Sequence, residues 1–379
     1  MKIKPYITRT VKITCFLLAI LFSVAFLQTY ALRRLDNNST RIRGFYQEPD
    51  ESLDVVLIGA SDIYTSFSSS YAYEKFGFTS YPYASESITA DGTLTALKEA
   101  LSKQDPKLIV IEVNAYLYGL SENEHHAAHL HKLLDNIPLN QNKIDYVSNF
   151  ISSDEQIEYY LPLVKYHSMW NDYPSPVRMT VSTILQDLRG YSYLKGFRTT
   201  TEVFKAELPI YNDRVASEST SYALNADLDA KLRELLDYCK DNNLDNVVFV
   251  RSPHLVNKTT MNRFRRANGA GEIINSYGYD FINLERDVLK TGIDSETDFY
   301  NYDHMNIYGA IKFTDYLGNI IQNKYGVAPS KLSDKQKENW DESVEYFEKL
   351  RKYCDDLIKS GKVKKIEEDI NTLNALGKY

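Results

Sequence analysis

Ser61 and His304 are the residues whose types and settings first suggest chemistry. Gly59-Ala60-Ser61-Asp62 follows Asp54 to Gly59, DVVLIG, a short apolar run ending at glycine. That is the pattern of a strand buried on both faces, so Ser61 should project from the carboxyl end of a central parallel strand. Far downstream, DFYNYDHMNIYGAIKFTDYLG runs from Asp298 to Gly318 and sets His304 just before a helical segment. A serine hydroxyl is a poor nucleophile at its free pKa. Acyl transfer therefore needs an imidazole to take the proton and a third group to hold the ring. General-base assistance of this kind contributes about 10²- to 10⁴-fold in rate. Each residue taken singly also has a plainer reading, a serine capping a tight turn and a histidine capping a helix.

Other chemistry-bearing residues weigh less. Arg251 and His254 follow the apolar run Asn246 to Val250, NVVFV, and at a strand's carboxyl end they can bind an anionic substrate such as a phosphate-bearing polymer. His125 and His129 have metal-ligand spacing on a helix, but the segment lacks the glutamate of HExxH, so a packing or solvated helix is expected and no metal. His167 and Trp170 are expected in the core or lining the crevice, and Asp62 as a helix cap. Cys15, Cys239 and Cys354 are too few and too dispersed for a disulfide framework or a cysteine-rich zinc site.

These residues need a scaffold. Asp54 to Gly59, Leu108 to Val113, Asn246 to Val250 and Phe281 to Leu284 read as strands, with helical spacing over Thr93 to Leu101, Leu228 to Cys239 and Ala310 to Ile321. The alternation predicts an α/β fold, a doubly wound parallel sheet in three flavodoxin-like layers, with function at the strands' carboxyl ends. Gly119 to Asp227 is far longer than a crossover requires and should form a helical insertion or lid. Residues 331–379 carry Trp340, Val344, Phe347, Leu350 and Cys354 at helical spacing behind a Ser333/Gln336 capping box, which predicts an amphipathic helical tail. The expected division is an anchor over 1–34, an α/β domain over 52–325 and this tail.

Ile13 to Leu27 contains no charge and sits within a largely apolar run from Val11 to Leu32. About 20 helical residues cross a bilayer core, so a transmembrane helix is expected, with a cleaved signal peptide as the alternative suggested by Thr29-Tyr30-Ala31. Lys2, Lys4, Arg9 and Lys12 place the N-terminus in the cytoplasm and the body outside, although Arg33, Arg34, Arg41 and Arg43 weaken the asymmetry. The 379 residues carry a net charge of −7 and no basic stripe with interleaved aromatics, which argues against nucleic acid as the main ligand. A body rich in Tyr, Asn and Lys that barely uses cysteine points to a Gram-positive envelope.

A strand-terminal serine near one end of an α/β body, and a histidine loop before its final helix, resemble the SGNH/GDSL hydrolase superfamily over roughly residues 52–325. Tyr159 to Trp170, Tyr193 to Phe197 and Val250 to His254 are similar to segments of its membrane-anchored Gram-positive branch, whose relatives include teichoic-acid D-alanylation proteins and polysaccharide O-acetyltransferases. The resemblance implies Ser61 as nucleophile and His304 as base. The family's acid lies three residues before the histidine, where this chain has Asn301. Asp298 is therefore the favoured charged member if the loop curls, Asn301 a ring-orienting or structural residue, and Asp303 points away. Of the family's oxyanion donors, the serine N–H is retained, the glycine is missing from Tyr81 to Ser85, and Asn114 can supply the asparagine. The implied activity is O-acyl transfer, acetyl or D-alanyl, onto a cell-envelope glycopolymer beside a membrane-bound O-acyltransferase partner, without a cofactor. An esterase acting on the same polymers and a non-catalytic envelope scaffold are the alternatives.

Overall fold

The strands of this computed structural model, which describes residues 4–30, 35–118, 126–168 and 176–378, are Val55–Gly59 (β1), Ser80–Ala84 (β2), Leu108–Glu112 (β3), Thr199–Thr200 (β4), Val247–Arg251 (β5), Asp280–Asn283 (β6) and Lys365–Ile366 (β7). Five of them form one parallel sheet in the order β2-β1-β3-β5-β6, while β4 and β7 pair antiparallel. The alternation of side chains along each strand explains the layers. Val56, Ile58, Ile109, Ile111 and Phe249 enter one apolar core, and Val55, Leu57, Val110, Val248 and Val250 enter a second on the opposite face. Helices Asn37–Gln47, Ala90–Leu101, Ala226–Asp241 and Met261–Ser276 close the first core, and Ser69–Phe76 with Ile307–Asn323 close the second. The chain is thus an α/β protein with a parallel sheet covered on both faces.

Strand β2, SYPYA, carries no apolar run. Its Pro82 pairs with Leu57 of β1, and the strand tolerates it because β2 lies at the sheet's edge, where one side needs no ladder donor. The segment Tyr193–Phe197 covers that edge. Gly196 there has φ +85°, and a Cβ would stand 2.7 Å from the Tyr81 ring, so this turn requires glycine.

Lys4–Tyr30 forms one helix, and its stretch Thr8–Tyr30 is long and apolar enough to cross a membrane. Its end is tied to helix Pro176–Arg189: Tyr30 O accepts from Thr180 Oγ1 at 2.9 Å, and Arg43 and the Tyr30 hydroxyl both bond Asp187. In the tail, Asp334–Lys359 is one helix with the Ser333/Gln336 capping box formed. It buries Trp340, Ser343, Tyr346, Phe347, Leu350 and Cys354, with Trp340 5.0 Å from the Tyr73 ring of Ser69–Phe76 and the last four in a core shared with Tyr193, Phe197, Ile307 and Ile366; Val344 is only half-buried beside that stripe.

Candidate active site

Strand order reverses at β1, because the chain leaves β1 toward β2 and then returns past it to β3. Open parallel sheets bind ligands outside the carboxyl ends of the strands at such a point. Gly59 ends β1 there, and a Cβ on it would lie 2.8 Å from Glu112 Cβ and 3.0 Å from Ile63, so glycine lets β3 and the next turn close in. Ala60 then adopts an extended N-cap conformation and Ser61 opens the short helix Ser61–Tyr64.

Ser61 Oγ lies 2.6 Å from His304 Nε2, and His304 Nδ1 lies 3.0 Å from Asn301 Oδ1. The proton positions follow from a third bond. Asn301 Oδ1 also accepts the Asp303 backbone N–H at 2.9 Å, so this atom is the oxygen and not the amide nitrogen. His304 Nδ1 must then carry the proton, which leaves the Nε2 lone pair facing the Ser61 hydroxyl. That tautomer is the one required of a general base. Burial holds the His304 pKa below its usual value, opposed by the Asp62 and Asp303 carboxylates. The Tyr300 ring stacks on the imidazole with 5.4 Å between centroids.

Asp298 is not part of this chain of bonds. Its carboxylate accepts from Lys312 Nζ at 2.6 Å, the Asp294 N–H at 2.7 Å and Thr297 Oγ1 at 2.9 Å. The reason is the loop's shape. Phe299 and Met305 form an isolated antiparallel bridge, both side chains fully buried, and the Tyr300 N–H bonds the His304 carbonyl. This pinched hairpin presents Asn301 and His304 at its tip and leaves Asp298 at its base against helix Ile307–Asn323. Asp303 pairs with Arg263.

A carboxylate nevertheless approaches the imidazole, from a residue assigned above only to a cap. Asp62 Oδ1 lies 3.7 Å from His304 Nε2 and 3.6 Å from His254 Nε2, ion-pair rather than hydrogen-bond distances. Ala60, not Asp62, is the helix cap. Burial would raise the Asp62 pKa, but the two imidazoles and Arg251 hold it well below the usual carboxylate range.

Arg251 and His254 are 0% and 1% exposed, which corrects their assignment to an anionic substrate. Both belong to an ionic layer beneath the serine. Arg251 bonds Glu285 Oε1 at 3.1 Å, Glu112 Oε1 at 3.3 Å and Asn114 Oδ1 at 2.6 Å. His254 Nδ1 lies 2.6 Å from the Ser252 carbonyl and 3.1 Å from Glu285 Oε1. Burial and Arg251 oppose protonation of His254, yet Asp62 and Glu285 outweigh them and raise its pKa to about 9. Burial, with Asp62 adding, pushes Glu112 up to about 7. Asn114 sits at the carboxyl end of β3, where its amide is committed to Arg251 and, at 3.2 Å, to the Tyr118 hydroxyl; it does not line the cleft.

That cleft, about 690 Å³, is lined by Ser61, His304 and Asn301 and by Asp36, Asn37, Asn38, Ser39 and Arg41, just beyond the apolar helix. The long insertion contributes His131, Lys132, Lys165, Tyr166 and Arg198 to its wall. His131 bonds Asp135 at 2.9 Å and stacks on Tyr159, whereas His167 is exposed, contrary to its expected place in the core or crevice. Lys2, Ala31, Arg33, Arg34, Gly119, His125 and Trp170 lie outside the described residues. Among the described residues, no group of three His, Cys, Asp or Glu side chains is arranged to hold a metal. Comparison with protein-family models, curated proteins and solved structures finds no match to this chain.

Proposed function

We propose that this protein is a membrane-anchored serine acyltransferase of SGNH type that acts outside the cytoplasm on cell-envelope glycopolymers. The observation that carries the reading is the hydrogen-bonded chain from Ser61 through His304 to Asn301, with the tautomer fixed for general-base work. In the proposed cycle Ser61 Oγ attacks an acyl carbonyl, acetyl or D-alanyl, while His304 Nε2 takes its proton. The tetrahedral species expels the donor's leaving group, which receives that proton, and an acyl-serine remains. An acceptor hydroxyl then attacks; His304 takes its proton and returns it to Ser61 Oγ as the acyl group leaves. Asn301 holds the ring, and Asp62 supplies the negative charge that Asn301 lacks. At 3.7 Å it stands near the nitrogen that becomes charged.

The helix over Thr8–Tyr30 supports an anchor, and Lys4, Arg9 and Lys12 at or before its N-terminal end support a cytoplasmic N-terminus. Asp36, six residues beyond the helix end at Tyr30, already lines the cleft, so donor and acceptor would meet close to the bilayer. A membrane-bound O-acyltransferase partner fits that placement as acyl donor. Incubation with an activated acetyl ester, followed by peptide mass analysis, tests the covalent step. An acetyl increment on the Ser61 peptide that vanishes in His304→Ala supports the proposal, and an unmodified Ser61 in folded protein overturns it. Release of free acetate without transfer to added polysaccharide would identify the esterase instead.

A further inference from the structure

Arg41 is unusual among the charged residues of the cleft. It is 6% exposed, and its Nε and Nη1 atoms are buried with no hydrogen-bond partner. Nη2 alone is satisfied, by Asn38 Oδ1, one turn earlier on helix Asn37–Gln47. The guanidinium carbon lies over the Tyr64 ring, 3.6 Å from its centroid, and among the described residues no carboxylate stands within ion-pair distance of it. Burying a guanidinium costs several kcal/mol of desolvation and a cation–π contact returns about 0.5–2 kcal/mol, so two unbonded donors on a buried guanidinium favour an acceptor from outside the protein.

The location gives that cost a purpose. Tyr64 is three residues after Ser61, one turn along the helix that begins with the nucleophile. Arg198 also lines the cleft, with its Nε 3.1 Å from Glu367 and its side chain hydrogen-bonded to Tyr64. The acid of this region, Glu86, is already bonded by Lys132 at 2.6 Å. Five cationic residues line the cleft against three acidic ones, the reverse of the balance in a chain with net charge −7.

We infer that Arg41 and Arg198 form an anion subsite in the cleft, one helical turn from Ser61, that receives a phosphodiester or carboxylate group of the substrate. The oxyanion accepts from the Nε and Nη1 atoms that the fold leaves without partners, and guanidinium groups suit both anions because their planar donor array matches the oxygens. Holding a charged group there would fix the register of a polymer, so that one of its hydroxyls meets the acyl-serine. The subsite rests on the acyl-serine reading for its role, though not for its existence.

The test uses the full chain in detergent micelles with glycerol 2-phosphate and glucuronate as probes. Affinity is read from thermal stabilisation against equal ionic strength of sodium chloride. Arg41→Gln and Arg198→Gln should each weaken anion binding about 10- to 100-fold, as expected for loss of a charge-assisted contact. Arg233→Gln, an exposed residue on Ala226–Asp241, should bind as wild type. If Arg41→Gln does not fold, Arg41→Lys and Arg198→Gln carry the comparison. Preference for the phosphate or for the carboxylate names the group on the substrate. Equal binding by wild type and both glutamine variants, or stabilisation no greater than that by chloride, overturns the subsite. Fluorophosphonate labelling of Ser61 in the same samples separates the two readings. Labelled protein without arginine-dependent binding removes only the subsite, and arginine-dependent binding without labelling removes only the acyl-serine.

Discussion

Asn301→Asp should convert the neutral ring-holder into a charged one without moving it. The Oδ1 position lies 3.0 Å from His304 Nδ1 and also accepts the Asp303 N–H, two donors that a carboxylate accepts equally well. A unit charge about 4 Å from the imidazolium is worth about 4 kcal/mol at an effective dielectric of 20, or roughly three pKa units as an upper bound. The His304 side chain is 19% exposed, so solvent reduces this to about one to three units. Asp303 adds little repulsion because Arg263 already pairs with it. The sign is fixed by the mechanism. Only neutral imidazole accepts the serine proton, so a higher His304 pKa moves the acid limb of activity upward by the same one to three units. Above that limb the rate should rise, since the imidazolium formed in the transition state is better stabilised. Second-order rates of fluorophosphonate labelling between pH 4 and 9 measure the limb, and the Nδ1–H resonance in proton NMR reports the imidazole directly. An acid limb that stays in place, or moves to lower pH, would refute the proposed role of Asn301.

Other perturbations separate the parts of the site. Asn301→Ala should slow labelling about 10²- to 10⁴-fold through loss of the tautomer and ring orientation, read as a labelling rate in protein of unchanged thermal stability. Asp298→Asn should instead weaken the contact with Lys312 and lower stability by about 1–3 kcal/mol, measured by urea unfolding, with labelling within a few-fold of wild type. In wild type, burial keeps His304 neutral to below its ordinary pKa, so the labelling rate should hold at pH 6.5 and fall only at lower pH. His254, raised to about 9, stabilises the fold fully below about pH 6.5, and that contribution is lost as pH rises through 9. Unfolding free energy should therefore decline by up to about 3 kcal/mol over that window, and His254→Asn should flatten the decline.

The strands buried on both faces were legible because VVLIG, LIVIE and VVFVR are near-continuous apolar runs, and the long helices because their apolar spacing is regular. Strand β2 was not, since a proline at its centre argues against a strand unless it is known to lie at an edge. Helix Asn37–Gln47 was missed for a related reason: its polar residues Asn38, Ser39, Thr40 and Arg41 are buried along with Ile42 and Phe45, so no apolar stripe marks its buried face. Ser61 and His304 stood out by their positions at a strand end and before a helix. The choice between Asp298 and Asn301 depended on a bridge between Phe299 and Met305 that spacing cannot reveal. Arg251 and His254 were correctly placed at a strand end, yet their partners Asp62, Glu112 and Glu285 arrive from three other segments of the chain, so their burial was invisible until the chain was folded.

Labelling of the full chain with a fluorophosphonate, followed by peptide mass analysis, tests the central claim most directly. The reagent reacts with an activated hydroxyl and not with one that is merely exposed. Modification should fall on Ser61 in wild type, disappear in Ser61→Ala, and drop to background in His304→Ala. Folded wild-type protein that remains unlabelled, or labelling of Ser61 that persists undiminished without His304, would contradict an imidazole-activated serine.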